Sequence, residues 1–178
     1  MKFRREWAMP DSDTFDIPPI GALIRHYLTK STQSIDPFAR NKRWATLTND
    51  LDPSTLAQYH MDALEFLKTM KSNGITVDLA LFDPPYSPRQ IKECYESIGM
   101  EMTTEDAWRT HAWTAEKDAI NSMLLSRGTV ICCDWNSVGM GSLREYSLIE
   151  VLLVCHGAGH NDTIVTVWRK NPRIEEFA

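Results

Sequence analysis

Four consecutive residues, Asp83-Pro84-Pro85-Tyr86, combine groups that can hold and activate a flat ring carrying an amine. The exocyclic amine of adenine or cytosine is a weak nucleophile because its lone pair is delocalised into the ring. The Asp83 carboxylate and the Pro84 carbonyl can accept hydrogen bonds from the amine and so localise that lone pair. Both prolines restrict φ and lack an N–H, so these acceptors are preorganised. Tyr86 offers a ring on which an extruded base can stack.

A plainer interpretation of the same residues is a Pro-Pro strand terminator followed by a packing tyrosine. Average residue usage gives this tetrapeptide in only about one in a thousand chains of this size. The apolar run 77–82 directly precedes it and predicts a strand. The tetrapeptide therefore lies at a predicted strand terminus, which favours the chemical interpretation.

Length and composition are typical of one globular domain. The 178 residues are 43% hydrophobic, and we expect a flexible amino terminus over 1–14 and a catalytic domain over 15–178. No window approaches the ~20 apolar residues of a membrane span, and the charged first six residues precede no apolar core. A cytoplasmic location is therefore expected. The net charge of −5 argues against a generally basic nucleic-acid binder.

The cysteines do not predict a metal centre. The four cysteines show no C-x-x-C spacing, and reduced, buried thiols are expected of them. Cys155, His156, His160 and Asp162 are close in sequence, but Gly-rich turn chemistry accounts for this segment, so no metal is predicted. The sequence contains no P-loop and no G-x-G-x-x-G, which counts against a nucleotide-binding oxidoreductase.

Alternating apolar patterns predict an α/β protein. Strands are expected over 33–38, 44–47, 76–82, 129–134, 148–155 and 163–168. Helices are expected over 21–29, 63–71, 88–98 and, with breaks, 103–126, together with a helical turn at 56–59. This order predicts a Rossmann-like, mostly parallel sheet of about seven strands, with helices on both faces and a carboxyl-terminal antiparallel hairpin.

An acidic residue stands near the end of each of four predicted strands: Asp36, Asp50, Asp83 and Asp134. Any one of them can be a helix N-cap or a solubilising loop residue. Because ligands of such sheets bind at the carboxyl ends of the strands, we expect these residues to converge on a binding site.

The tetrapeptide resembles the DPPY motif of S-adenosylmethionine-dependent amino-methyltransferases, in particular the DNA N6-adenine enzymes of phages and mobile elements. Three upstream segments look like cofactor motifs of that family, and a fourth looks like its amino-terminal motif. These segments cover roughly residues 15–90 and are Ile35-Asp36-Pro37-Phe38-Ala39, Asn49-Asp50-Leu51-Asp52, Asp62-Ala63-Leu64 and Phe15-Asp16-Ile17-Pro18-Pro19-Ile20.

The resemblance implies a DNA methyltransferase that transfers a methyl group from S-adenosylmethionine to the N6 amine of adenine. It implies catalytic roles for Asp83, Pro84, Pro85 and Tyr86. The cofactor-binding residues that it implies are Phe15, Ile17, Pro18, Asp36, Pro37, Phe38, Asp50, Asp62, Ala63 and Asp83. Cytosine N4, RNA adenine, a protein glutamine amide, or a non-enzymatic partner subunit are the alternatives.

One segment departs from the family pattern. Where members carry glycines after the Phe, this chain has Ala39-Arg40-Asn41-Lys42-Arg43. Glycine lets the backbone approach a ligand closely, so its absence changes how the cofactor's methionine end is held. A reduced affinity, a different loop path and an inactive chain are the three outcomes to distinguish.

DNA is the expected partner, with RNA as the alternative. Contacts with nucleic acid are expected from Tyr86, Arg89, Lys92, Arg40, Lys42 and Arg43. For the last three, a solvated charged loop is the slightly favoured interpretation. Trp108, Arg109, His111 and Trp113 are candidates too, although aromatic residues at these spacings are more often core. Pairing into a homodimer would enlarge the substrate contact of a chain without a recognition domain.

Overall fold

A computed structural model describes residues 1–104, 106, 113–141, 145–157 and 159–172. Within these residues, seven strands form one sheet, and helices connect most of them. The strands are β1 (Lys2–Trp7), β2 (Ser34–Asp36), β3 (Leu47–Thr48), β4 (Val77–Phe82), β5 (Leu124–Asp134), β6 (Tyr146–Cys155) and β7 (Thr163–Lys170). The helices are α1 (Pro18–Leu28), α2 (Ala63–Ser72), α3 (Pro88–Ser97) and α4 (Thr114–Met123), with a 3-10 turn at Thr14–Asp16.

The sheet has the order β1-β6-β7-β5-β4-β2-β3. Only β7 runs antiparallel to its neighbours, β5 and β6, and the other adjacent strands pair in parallel. This confirms the predicted mostly parallel sheet that closes with an antiparallel hairpin. The carboxyl ends of six strands therefore meet at one edge of the sheet.

Helices cover both faces of the sheet, as predicted. On one face, Phe66 of α2, Ile91 of α3 and Ile120 of α4 pack in a common core. On the other face, Ile20 and Ile24 of α1 pack in a second core against the sheet. Burial on both sides explains why the central strands read as continuous apolar runs.

The caps of α2 and α3 follow the sequence signals. Asp62 accepts hydrogen bonds from the amides of Leu64 and Glu65 at the start of α2, and Gly74 follows its end with φ +73°. Pro88 begins α3, with Ser87 as the cap. No helix among the described residues is long and apolar enough to cross a membrane.

The helix predicted to reach residue 126 ends earlier, because Leu124 already pairs with Val77 in the sheet. Strand β5 therefore begins immediately after Met123, and a register shift between Val77 and Leu79 accommodates the extension. Sheet pairing overrides the helical pattern here, since local propensity is a weak prior. The part of that prediction that falls on residues 105 and 107–112 lies outside the described residues.

The segment between β2 and α2 also differs from its prediction. The strand predicted over 44–47 is observed as β3, which comprises only Leu47–Thr48. It is therefore shifted along the chain towards Asp50. The helical turn predicted at 56–59 is absent, and Tyr59 instead forms an isolated parallel bridge with Asn49. This bridge continues the sheet edge past β3, which explains why Tyr59 is not free to adopt a helical turn.

The amino-terminal segment, predicted to be loosely held, contains strand β1. Its six residues pair in parallel with β6, from Lys2 opposite Glu150 to Trp7 opposite Cys155. Five of the six side chains are exposed. The strand is therefore attached mainly through backbone hydrogen bonds, and such attachment leaves no hydrophobic pattern in the sequence.

Candidate active site

The candidate site lies where the connections leaving the sheet reverse direction. From β2 the chain moves outward to the edge strand β3, and it then returns to β4 on the other side of β2. Such a switch point opens a crevice outside the carboxyl ends of the two strands. A cavity of about 630 Å³ occupies this crevice, and all four residues of the DPPY tetrapeptide (residues 83–86) line it.

The side chains of Asp83 and Tyr86 are hydrogen-bonded to each other at the carboxyl end of β4. The Tyr86 hydroxyl donates a hydrogen bond to Asp83 Oδ1. Thr14 Oγ1 lies 3.5 Å from the Tyr86 hydroxyl, and its side chain acts to lower the pKa of Asp83. The Tyr86 amide donates to Gln90 Oε1 at 2.7 Å, which ties the tetrapeptide to the first turn of α3. The predicted acceptor and the predicted ring are therefore brought together and fixed.

The protonation states of this pair follow from burial. Desolvation raises the pKa of Asp83 to about 6, against the opposing effect of the hydrogen bonds from Tyr86 and Thr14. Desolvation and the neighbouring Asp83 charge raise the pKa of Tyr86 well above its ordinary value. Tyr86 therefore remains a donor at physiological pH, and Asp83 is predominantly a carboxylate at pH 7.

Asp36, at the end of β2, is buried and does not line the cavity. It is almost completely buried, and one of its oxygens accepts from the Phe38 amide at 3.0 Å. Oδ2 has no hydrogen-bond partner in the described part of the chain. Burial, followed by repulsion from Asp83 and Asp50, raises the pKa of Asp36. The two carboxylates at the ends of adjacent strands are thus electrostatically coupled.

Asp50 lines the cavity at the end of β3. Its Oδ2 accepts from the Arg40 amide and its Oδ1 from the Asp52 amide, both at 2.9 Å. Burial raises the pKa of Asp50, and these hydrogen bonds oppose that change. Each carboxylate oxygen has two lone pairs, so Asp50 retains acceptor capacity towards a ligand.

Asn49 holds together the three segments that form this wall. It is fully buried, and its Nδ2 donates to the carbonyls of Pro37 at 3.1 Å and Met61 at 3.0 Å. Its backbone carbonyl accepts from the Ala39 amide at 2.8 Å. The loop after β2 and the loop before α2 are therefore positioned by one side chain.

The glycine-free loop 39–43 contains a left-handed residue. Arg40 has φ +49°, a conformation that costs a non-glycine residue free energy. Ala39, by contrast, is buried with 2% exposure. The loop therefore makes the tight turn that glycine would favour, with Arg40 at the strained position.

Aromatic residues form one wall of the cavity beside this loop. The Phe38 ring lies 5.1 Å from the Trp113 ring and 5.5 Å from the Phe82 ring, both edge to face. Phe38, Trp113 and Pro37 line the cavity, as do Asp62 and Ala63 at the start of α2. Of the candidate nucleic-acid residues, Trp113 is thus a packed wall residue.

Phe15, Ile17 and Pro18 of the amino-terminal motif do not line this cavity. Phe15 is buried and stacks on Trp44 with 5.8 Å between ring centroids. Ile17 is buried in the same core, and Pro18 begins α1 beside a separate surface cavity. The residues of this region that line the cavity are Ser12 and Thr14, and Phe15 of the 3-10 turn is buried.

Most of the predicted phosphate-binding cations are already paired with carboxylates. Their exposed or half-exposed ion pairs are Lys42 with Asp16 at 2.6 Å, Arg89 with Glu93 at 2.8 Å and Lys92 with Glu96 at 3.5 Å. None of these three cations lines the cavity, and exposed pairs of this kind can exchange partners at little cost.

Arg40 and Arg43 differ from those pairs. Arg40 lines the cavity and donates from Nη1 to the Ser12 carbonyl, while Arg43 is exposed outside it. The sequence candidates Trp108, Arg109 and His111 lie outside the described residues.

Two aromatic rings meet at the open end of the site. Trp135, just after β5, lies 5.6 Å from the Tyr86 ring in an edge-to-face arrangement and is 40% exposed. Sequence reasoning missed Trp135, Thr14 and Gln90, because nothing local indicates which strand end they approach. Asp134 does not line the cavity, since its carboxylate accepts from the Trp135 amide and from Asn136.

The cluster around Cys155 serves the fold. The buried His156 ring lies 2.9 Å from the Ala8 carbonyl and 2.9 Å from the Thr163 hydroxyl, and Cys155 Sγ accepts from Arg5. Among the described residues, no group of three or more His, Cys, Asp or Glu could hold a metal ion.

No protein-family model and no curated protein matches this sequence. The structure, however, is similar to a putative methyltransferase, SMU.776, complexed with SAH (TM-score 0.56, 11% identity, 83% of this chain and 48% of that one). It is also similar to TrmN from Thermus thermophilus (TM-score 0.55, 13% identity, 86% and 49%). NSun6 from Pyrococcus horikoshii with SFG is a third such structure (TM-score 0.53, 15% identity, 79% and 48%).

These likenesses establish a Rossmann-like methyltransferase fold. The chain spans about half the length of each of these three proteins. At 11 to 15% identity the similarity concerns the fold alone, so the chemistry must be argued from the site.

Proposed function

We propose that this protein is an S-adenosylmethionine-dependent methyltransferase that modifies the exocyclic N6 amine of adenine in DNA. One observation carries the proposal: the DPPY tetrapeptide lines a cavity at the switch point of a methyltransferase fold, with Asp83 and Tyr86 fixed together. The resemblance of that tetrapeptide to amino-methyltransferases supplies the class of acceptor.

The far side of the cavity is suited to the cofactor. Asp50, Asp62 and Ala63 line it beside the Phe38 ring, and the buried Asp36 at the end of β2 has an unpartnered oxygen. An acidic surrounding matches the positively charged sulfonium and ammonium groups, and the Asp50 carboxylate can accept from ribose hydroxyls. When bound, the cofactor would supply an electrophilic methyl group.

The residues of the tetrapeptide would bind and polarise the target amine. Asp83 would accept from one amine N–H and the Pro84 carbonyl from the other, while Tyr86 would stack on the base. The Tyr86 and Thr14 hydrogen bonds do not exhaust the four lone pairs of the Asp83 carboxylate. With a pKa of about 6, Asp83 can also receive the proton that the amine must lose.

The same acceptors would fit two related substrates. Cytosine N4 presents an amine of the same kind, and adenine in RNA presents the same edge. Lys42, Arg89 and Lys92 pair with carboxylates, and these contacts do not distinguish DNA from RNA. These substrates are the alternatives to be separated by experiment.

Transfer of a radiolabelled methyl group from S-adenosylmethionine to DNA and to RNA, followed by nucleoside identification, tests the proposal. We expect the label in N6-methyldeoxyadenosine, and we expect the Asp83→Asn variant to form none of this product. The matched control is Glu101→Gln, which removes an exposed carboxylate that does not line the cavity. Label in N4-methylcytosine or in RNA would favour an alternative, and full activity of Asp83→Asn would exclude the mechanism.

A non-enzymatic chain of the same fold is distinguished by a separate measurement. Calorimetric titration with S-adenosylmethionine, with and without nucleic acid, should detect binding if the cavity holds the cofactor. Binding without transfer to any nucleic acid would point to a protein or small-molecule acceptor, and no binding would favour a partner subunit.

A further inference from the structure

Strand β1 leaves one side of the sheet without a partner among the described residues. It is the terminal strand in the order of the sheet and pairs only with β6. An edge strand of six residues presents a row of N–H and C=O groups that can pair with another chain.

The outward-facing groups can be assigned from one hydrogen bond. The Ala8 amide donates to the Cys155 carbonyl at 3.2 Å, so even-numbered residues of this segment direct their backbone groups towards β6. Because the direction alternates along a strand, the backbone groups of Phe3, Arg5 and Trp7 point to the open edge. In any antiparallel pairing with a second β1, odd residues must therefore face odd residues.

Four of the six side chains of β1 are charged, and the two apolar ones, Phe3 and Trp7, are both aromatic and exposed. Phe3 is 61% exposed and Trp7 66% exposed, on the same face of the sheet because they are four residues apart. Lysine and arginine often protect such edges. Here Lys2 and Arg4 are drawn to Glu150 of β6, at 3.2 and 3.0 Å.

We propose that β1 is a homodimer interface at which two copies pair antiparallel about Arg5. This register places Phe3 opposite the partner's Trp7, twice, and Arg4 opposite the partner's Glu6, twice. Aromatic pairs and opposite charges both stabilise facing strand positions. The two Arg5 side chains would face each other at the axis, where each donates from Nε to Cys155 Sγ of its own chain at 3.2 Å.

The neighbouring symmetric register is less favourable. Pairing about Arg4 would likewise place two arginines opposite each other and would place Lys2 opposite Glu6, twice, but it would leave Phe3 and Trp7 without an aromatic partner. Like charges directly opposite destabilise a strand pair. This cost is common to both registers, so the facing Phe3 and Trp7 rings select the register centred on Arg5.

Antiparallel pairing has a geometric consequence for the cavities. The carboxyl edges of the two sheets would point in opposite directions, so neither protomer would contribute residues to the other's cavity. The interface would extend the sheet to fourteen strands, twice the seven described in one chain. It is independent of the proposed chemistry.

A proline scan of β1, measured by sedimentation equilibrium, tests this interface. Arg5→Pro removes an N–H that points outward, so the bonds to β6 survive while two hydrogen bonds of the dimer are lost. We expect a folded monomer, with the dimer dissociation constant raised roughly 30-fold or more. The matched control, Arg5→Ala, keeps the N–H and should remain dimeric.

The aromatic contribution is tested by Phe3→Lys, which should also yield a monomer with unchanged circular dichroism. Three outcomes would overturn the proposal. They are a monomeric wild-type protein at concentrations up to ~100 times those used for binding assays, a dimer that survives Arg5→Pro, and open-ended association instead of a discrete dimer.

Discussion

At the scale of single residues, the contact between Asp83 and Tyr86 defines the state of the site. The carboxylate is buried enough that its pKa rises to about 6, yet it is stabilised by the Tyr86 and Thr14 hydroxyls. A group whose pKa is close to neutrality suits proton transfer at physiological pH. Two testable consequences follow for this pair of residues.

The first concerns the pH dependence of methyl transfer. Because protonated Asp83 is a weaker acceptor, we expect kcat/KM to fall as the pH decreases through about 6. Tyr86→Phe removes the hydroxyl that lowers the pKa of Asp83, so the acid limb should move to higher pH while the stacking ring is kept. A pH profile of both proteins checks this, and an unmoved limb in Tyr86→Phe would contradict the role assigned to the hydroxyl.

The second concerns stability. Since the pKa of Asp83 is raised from 3.8 to about 6 on folding, its favourable effect on folding is complete below pH 3.8 and is lost as the pH rises through 6. Asp83→Asn should therefore stabilise the protein at pH 8, by at most about 3 kcal/mol, and less at pH 4.5. Urea unfolding at the two pH values measures this. A variant that is less stable than wild type at pH 8 would show that the carboxylate is structurally required.

At the scale of elements, the loops after β2 and β3 decide the shape of the cofactor side. Asp50 binds the Arg40 amide, and Asn49 binds the carbonyls of Pro37 and Met61. The loop without glycines is thus fixed by neighbouring backbone and side chains. These contacts hold Arg40 in its left-handed conformation.

Substitutions at Arg40 test this account of the loop. Arg40→Gly relieves the left-handed strain, whereas Arg40→Ala retains it and loses the same side chain. We expect the glycine variant to be more stable than the alanine variant by about 0.5–1 kcal/mol. This is the net difference once the larger conformational entropy of glycine in the unfolded chain has been subtracted. Denaturant unfolding of the pair gives the difference. Equal stabilities, or a more stable alanine variant, would argue against the positive φ.

At the scale of the whole molecule, cofactor binding should stabilise the folded protein against unfolding. A ligand at 100 times its Kd stabilises the native state by about 2.7 kcal/mol, which raises the Tm of a protein of this size by about 5–10 °C. We expect this shift with S-adenosylhomocysteine in the wild-type protein and a smaller one in Asp50→Asn. Differential scanning fluorimetry measures it, with Glu101→Gln as the control. An identical shift in Asp50→Asn would remove Asp50 from the cofactor site.

Several structural features were predictable because they depend on short, contiguous stretches of the sequence. The apolar run before Asp83, the cap at Asp62 and the hairpin of β6 and β7 are set by contiguous residues, and the structure confirms them. The convergence of Asp50 and Asp83 on one cavity was predictable too, because parallel strands end at a common edge.

Tertiary structure alone decided the rest. Strand β1 is held by backbone bonds and by ion pairs of Lys2 and Arg4 with Glu150, which leave no hydrophobic pattern in the sequence. Thr14 and Trp135 reach Tyr86 from positions 72 residues before and 49 residues after it in the chain, by subtraction of their numbers, and the sheet order sets such distances. Asp36 shows the same limit: its burial, outside the cavity lining, follows from packing around β2, whereas the sequence shows only that it ends a strand.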